Sequence, residues 1–479
     1  MEDKENTATR KPLLGEDDRD EEDASSGWSK FGEEVKKVGY LAGPMVAVNL
    51  SQYVLQVISL MMVGHLGQLS LSSTAIAVSF CAVTGFSPVF GMSSALETLC
   101  GQAYGAKQYR QFAIHIQTGI FCLVLICIPL SLLWTNVGRL LILLGQDPLI
   151  SQEAGKFTTY LVPAVFAYAT LQALVRYYQM QSLIFPLIVS SLFTLGFHIL
   201  ICWTLVFGFG FGSLGAACAI GASYWLNVCL LGLYMMFSPT CANTRFAFSA
   251  ELFKGVGQFF RFGLPSAVMI CLEWWSFELL LMLSGLLPNP KLETSVLSVC
   301  LSSISTLYTI PEGLGGVASV RVSNELGAGN PRAALVAIRT VVSVTIIQAV
   351  IASSILFAVR RVFGYVFSYD DEVVDYVSEM APLVCISVIL DSLQGTLSGI
   401  ARGCGWQDYG AYVNLVAYYA CGVPVAAALG FWFKLGGRGL WIGIQVGSLL
   451  QNVLLSIITS CTSLEKQATK ARERIFDKG

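Results

Sequence analysis

The chain predicts an all-α integral membrane protein: twelve transmembrane helices in two pseudo-symmetric six-helix bundles around a central cavity. Three observations carry that prediction: bulk apolarity, uncharged runs of bilayer length, and a sequence echo that returns after six spans. Hydrophobic residues make up 54% of the 479 residues, charged residues only 13%, and mean hydropathy is +0.65, whereas a soluble domain is about 25% charged. Residues 177–244 contain no Asp, Glu, Lys or Arg. At about 20 residues per crossing, that run holds two spans divided by the glycines from Gly208 to Gly215.

The first 36 residues carry twelve acidic against six basic side chains and lack the apolar core of a signal peptide, so they read as a disordered cytoplasmic tail. Within it, Lys11-Pro-Leu-Leu14 resembles a dileucine sorting signal but lacks the acid four residues ahead, and a plain tail is the simpler reading. The spans follow at 39–62, 72–97, 113–135, 157–177, 184–207 and 213–237, forming an N-terminal bundle over 37–237. After a cytoplasmic linker at 238–260 come 261–286, 294–321, 335–359, 377–400, 409–433 and 439–462, a C-terminal bundle over 261–462. Residues 463–479 form a basic cytoplasmic tail.

Placing the N-terminus inside puts Lys107, Arg110, Arg176, Arg245, Arg321, Arg332, Arg402 and the basic tail in the cytoplasm. The opposite loops hold fewer basic residues, among them Arg139, Lys156, Lys291 and Arg438, so the positive-inside rule sets both termini inside.

The echo relates Gln102-Ala-Tyr-Gly-Ala-Lys-Gln-Tyr-Arg110, after the second span, to Asn324-Glu-Leu-Gly-Ala-Gly-Asn-Pro-Arg332, after the eighth, at an offset of 222 residues (102 to 324). Gly43-Pro44 against Leu264-Pro265, Leu171-Gln172 against Leu393-Gln394, and Gly212–Gly215 against Gly436–Gly439 keep nearly the same offset. With six spans between the copies, each keeps its orientation, which means parallel repeats about an axis along the membrane normal.

Two acids stand out because each lies mid-span: Glu273 in the seventh and Asp391 in the tenth. A charge at membrane depth costs about 2.5–3.5 kcal/mol on insertion scales and by default marks an ion or substrate path. Desolvation there favours the protonated, neutral acid. Their repeat mates are Gln52 and Ala169, so titratable groups occupy only the C-terminal member of each related pair. Glu278 is five residues from Glu273, about 140° around a helix, and cannot share its face.

Polar stripes run at helical period through Asn49, Gln52 and Gln56, through Ser298, Ser302, Ser305 and Thr309, and through Ser387, Asp391, Gln394 and Ser398. In the first and tenth spans they read as cavity lining, against the plainer use of such residues in bonding neighbouring helices, while the serines of the eighth suit either role equally. Trp274 and Trp275 suit stacking on a flat aromatic or cationic solute, and equally suit packing. Glu97 and Glu312 read as structural, and Arg321, Glu325 and Arg332 as groups that tie a cytoplasmic gate. Pro44, Pro88, Pro163, Pro265, Pro311 and Pro382 interrupt helices as bending points or static kinks.

Most of the 14 cysteines fall inside spans, where cysteine is a small packing residue. His65, His115 and His198 are too scattered for a metal site. The chain has no glycine-rich nucleotide-binding loop, which argues against ATP hydrolysis and leaves an ion gradient or the membrane potential as the energy source.

Cys271-Leu-Glu-Trp-Trp-Ser-Phe-Glu278, Val322-Ser-Asn-Glu-Leu-Gly-Ala-Gly-Asn-Pro331 and Ile310-Pro-Glu-Gly-Leu314 closely resemble the multidrug and toxic compound extrusion (MATE) transporters of the plant branch, over roughly residues 35–465. The resemblance implies an antiporter that expels organic solutes in exchange for protons, its two bundles rocking between inward and outward openings. By the same resemblance the proton-coupling acids fall on Glu273, Glu278 and Asp391. Ser302 stands where the animal branch has a further glutamate, and the first span lacks the aspartate of some bacterial relatives. Both departures favour coupling in the C-terminal half.

The expected protein is therefore not an enzyme but a monomeric proton-coupled exporter in the vacuolar or plasma membrane. Its partners are small organic solutes such as cations, alkaloids and flavonoids, protons and the bilayer, with no cofactor, metal or nucleic acid. A lipid-linked saccharide flippase is disfavoured because its cavity needs cations for phosphate, and no predicted mid-helix position holds Lys or Arg. A non-transporting receptor would need neither tandem repeats nor acids in one half alone.

Overall fold

The computed structural model describes residues 16–366 and 370–476, with side chains from Phe31 onward. It is about 90% helical, without strands among the described residues. Twelve helices are long and apolar enough to cross a membrane. They are α1 (Glu16–Gly64), α2 (Gln68–Gly105), α3 (Tyr109–Trp134), α4 (Pro148–Met180), α5 (Ile184–Gly208), α6 (Gly212–Phe237), α7 (Leu252–Ser284), α8 (Pro290–Gly327), α9 (Pro331–Val366), α10 (Asp371–Cys404), α11 (Gln407–Trp432) and α12 (Gly436–Cys461). A terminal helix, α13 (Leu464–Phe476), follows.

Each predicted span coincides with one of these helices, four of them (113–135, 261–286, 409–433 and 439–462) overrunning its end by one or two residues, but several helices run well past the spans. At 38 residues, α2 and α8 are each about 57 Å long, against a hydrocarbon core of about 30 Å. Hydropathy marks only the part in lipid, so it misses helix that continues beyond the bilayer. The expected tail and linker are shortened by the same effect. α1 already runs through the Glu16–Asp23 segment, while the Lys11–Leu14 segment lies outside the described residues. The linker ends at Glu251, held to α3 by Gln117 Nε2 donating to the Phe246 and Ala247 carbonyls and by Thr118 Oγ1 donating to Leu252 O at 2.9 Å.

An even number of crossings puts both chain ends on one side, here called the terminal face. α1 packs on α8 and α2 on α7, pseudo-symmetric mates across the boundary between bundles, and α2 also meets α8. The repeat extends to backbone detail. Gly212 and Gly436, which open α6 and α12, both have φ 59°, and Lys107 (φ 59°) occupies the left-handed position that Gly329 (φ 78°) takes in the other half.

The basic segment after the last span folds as α13. Gln467, Ala468, Ala471 and Ile475 form one buried face, and Gln111 Nε2 donates to Ile475 O at 2.8 Å. The helix touches α2, α8 and α9, so it spans both bundles.

Candidate functional site

α7, α8 and α10 bring Glu273, Tyr308 and Gln394 together in the C-terminal bundle. Glu273 is 7% exposed, as is Asp391. Gln394 Nε2 donates to Glu273 Oε2 at 2.5 Å and lies 3.0 Å from Ser398 Oγ, one turn along α10. Tyr308 OH lies 3.4 Å from Glu273 Oε1 and donates to Gln394 Oε1 at 3.2 Å. Asp391 is close enough to feel the charge of Glu273, and its Oδ2 is buried without a hydrogen-bond partner among the described residues. Behind the acids, Tyr418 OH donates to Gln451 Oε1 at 2.8 Å, Gln451 Nε2 to Asn414 Oδ1 at 2.7 Å, and Asn414 Nδ2 to Met269 O at 2.7 Å. Tyr418 feels both carboxylates, so this chain forms the polar wall of the acid pair.

The other sequence candidates lie elsewhere. Glu278 is half-buried and enters no hydrogen bond or ion pair among the described residues. Ser387 turns to α12, receiving Trp441 Nε1 at 3.1 Å and Gln445 Nε2 at 2.9 Å, so its part in the stripe is to join helices. Ser302 is exposed. Asn49 and Gln52 are half-buried in the N-terminal bundle, and Gln56 Nε2 donates to Tyr224 OH at 3.3 Å. Trp274 stacks on Phe90 of α2 at 5.8 Å, and Trp275 Nε1 donates to Val83 O at 3.1 Å. Both tryptophans thus span the bundle boundary. Val83 lies in a π-helical turn, Ala82–Phe86, whose register shift loosens the α-helical ladder.

A second buried constellation was not legible as a site. Glu97, fully buried, pairs with Arg176 at 3.1 Å and with Arg402 at 2.9 Å. Arg402 belongs to the C-terminal bundle and the other two to the N-terminal one, so this triad bolts the halves together. Sequence reading put both arginines on the cytoplasmic side, Arg176 at the end of the fourth span and Arg402 just past the tenth; both lie inside helices, Pro148–Met180 and Asp371–Cys404. Around them Thr98 Oγ1 donates to Arg402 O at 2.5 Å, Gln102 Nε2 to Gly403 O at 3.3 Å and Asn324 Nδ2 to Met180 O at 3.1 Å. Arg321 grips Glu34 of α1 through two nitrogens, at 2.6 and 3.1 Å, and Glu325 at 2.8 Å, while Arg332 enters no ion pair among the described residues. These contacts tie the two bundles together at the terminal face.

Twelve long helices in two parallel repeats, tied together at one face and holding the Glu273 and Asp391 pair in one half, define a multi-pass membrane transporter. A MatE family profile matches residues 44–204 and 265–428, and the chain belongs to that family. It is similar to Protein DETOXIFICATION 14 of Arabidopsis thaliana, 62% identical over 98% of this chain and 96% of that protein, and to Protein DETOXIFICATION 12 of the same plant, 56% identical over 93% and 92%. The crystal structure of the eukaryotic MATE transporter AtDTX14 superimposes with a TM-score of 0.90 at 64% identity, covering 93% of this chain and all of that one. An outward-facing multidrug resistance MATE family transporter shares the fold alone, at TM-score 0.78 and 15% identity over 92% and 96%.

Proposed function

We propose that this MATE transporter is a proton-coupled antiporter that exports small organic solutes, with Glu273 and Asp391 as the exchange-coupled acids and both termini cytoplasmic. The observation that carries this reading is a buried carboxylate pair in one bundle, of which Asp391 leaves an oxygen unpartnered. A buried charge without a partner is costly, and a proton removes the charge. Solute and proton then compete for the same groups, and linkage requires each to weaken the other's affinity. With the termini cytoplasmic, the contacts that join the bundles at the terminal face close the cavity on that side, and protons arriving from the opposite, acidic side displace the solute. Arg176 and Arg402 are both engaged by Glu97 at the bundle boundary, so neither is free to hold the phosphate a flippase would carry.

The test is pH-gradient-driven flux of an organic cation in proteoliposomes, normalised to protein. Asp391→Asn and Glu273→Gln reach the membrane, since amides are cheaper to bury than carboxylates, and lose gradient-driven export. Wild-type flux in both variants would overturn the assignment.

A further inference from the structure

A cavity of about 790 Å³ lies at the terminal face, bounded by α7, the turn from α10 into α11, the end of α12, and α13. All its walls come from the C-terminal bundle and the terminal helix, so it stands outside the cleft between bundles. Arg261, Lys470 and Arg474 line it, with Asp408 and Glu473. Arg474 is fixed in place: its Nη1 donates to Gln102 Oε1 at 3.2 Å and its guanidinium sits 5.2 Å over the Phe262 ring. Burial, and then the positive charge of nearby Arg261, push its pKa below the ordinary arginine value. Arg261 enters no ion pair among the described residues. Two like-charged guanidiniums thus converge on one space.

The opposite lip is apolar. Ile457 is 52% exposed and continues a stripe formed with Leu449 and Val453 along α12, and Tyr409 across from it is 62% exposed. Ile457 lies about one turn from the Cys461 end of the candidate span Gly436–Cys461, and such span ends are where tyrosine and tryptophan gather and basic pockets take acidic head groups.

We propose that this cavity binds an anionic phospholipid from the leaflet at the terminal face, its phosphate held by Arg261, Lys470 and Arg474 and an acyl chain laid along Leu449, Val453 and Ile457. A free phosphate would satisfy the cations but has no use for the stripe. The bound lipid also steadies α13, which reaches the N-terminal bundle through Gln102 and Gln111, and so favours the closed terminal face.

Native mass spectrometry of the full chain, titrated with phosphatidic acid or phosphatidylcholine, tests this. The wild type takes phosphatidic acid in preference. Arg261→Gln and Lys470→Gln, both exposed side chains whose loss leaves the fold intact, each weaken phosphatidic acid binding about fivefold without changing phosphatidylcholine binding. Equal retention of the two lipids by the wild type, or undiminished phosphatidic acid binding in both variants, overturns the proposal. Displacement of phosphatidic acid by inorganic phosphate at equal concentration overturns it too, by making this a soluble-anion site.

Discussion

Gln394 shows how a neutral side chain can govern a buried acid. Its amide donates to Glu273 and lies beside Ser398, while its carbonyl oxygen accepts from Tyr308. Hydrogen bonds to charged groups contribute about 1.5–3 kcal/mol, so Gln394→Leu is expected to lower gradient-driven flux about tenfold or more. Tyr308→Phe, losing the longer 3.4 Å contact, has a smaller effect. Equal flux in wild type and Gln394→Leu would show that the amide does not position Glu273. Glu97 behaves differently because its loss strands Arg176 and Arg402, and breaking a buried ion pair costs about 3–5 kcal/mol. Glu97→Gln should therefore unfold at a clearly lower temperature in detergent than Glu273→Gln, which leaves no opposite charge unpaired. The mid-span acids and Gln394 were legible because charge and amide stand out against apolar helix at a fixed period. Tyr308, Asn414 and Gln451 were not, since nothing in a single helix marks which neighbour its polar group will meet.

At the scale of elements, the two copies of the sequence echo meet face to face. A Cβ on Gly105 would strike the Asn324 backbone, and one on Gly327 the Gln102 backbone, so α2 and α8 approach more closely than any larger residue allows. Gly327→Ala is expected to pry open the terminal face. Cys100 and Cys404, buried in the sealed state, should then react with a water-soluble maleimide beyond the exposed Cys229 and Cys461, read by peptide mass spectrometry. Unchanged protection of both would mean that the glycine contact does not hold the gate. The turns beside these glycines carry the repeat's other constraint. Lys107 adopts the left-handed backbone that Gly329 adopts without strain, and Lys107→Gly should stabilise the protein by about 1 kcal/mol in thermal unfolding. The sequence revealed that these segments were related, but not that they touch. Contact follows from the repeat axis running between α2 and α8, and an offset along the chain does not encode where that axis lies. Helix ends were misplaced for a simpler reason, that beyond the bilayer a helix needs no apolar run to continue.

Across the whole molecule, one fold repeated twice carries different chemistry in each half. The C-terminal bundle holds the carboxylate pair, whereas the related region of the N-terminal bundle offers amides and one buried imidazole, His198, with Ser59 Oγ at 2.9 Å from Nε2 and Ser223 Oγ at 2.9 Å from Nδ1. The repeat comparison made the missing acids visible, but His198 looked isolated because its two serines lie on α1 and α6. With both ring nitrogens engaged by hydroxyls, the imidazole has its polar needs met within the bundle, as a structural tie between α1, α5 and α6 requires. Coupling confined to the C-terminal half then predicts a separation of effects. Asn49→Ala, Gln52→Ala and His198→Gln should alter solute affinity or stability but leave the pH dependence of flux as in the wild type, while Asp391→Asn abolishes that dependence with the N-terminal side chains untouched. The measurement is initial flux in proteoliposomes over a series of internal and external pH values, at solute concentrations spanning half-saturation, so that a change in affinity is not mistaken for a change in coupling. Should His198→Gln flatten the pH profile while Asp391 is intact, protons pass through both bundles, and the acid pair in the C-terminal half is only part of the coupling path.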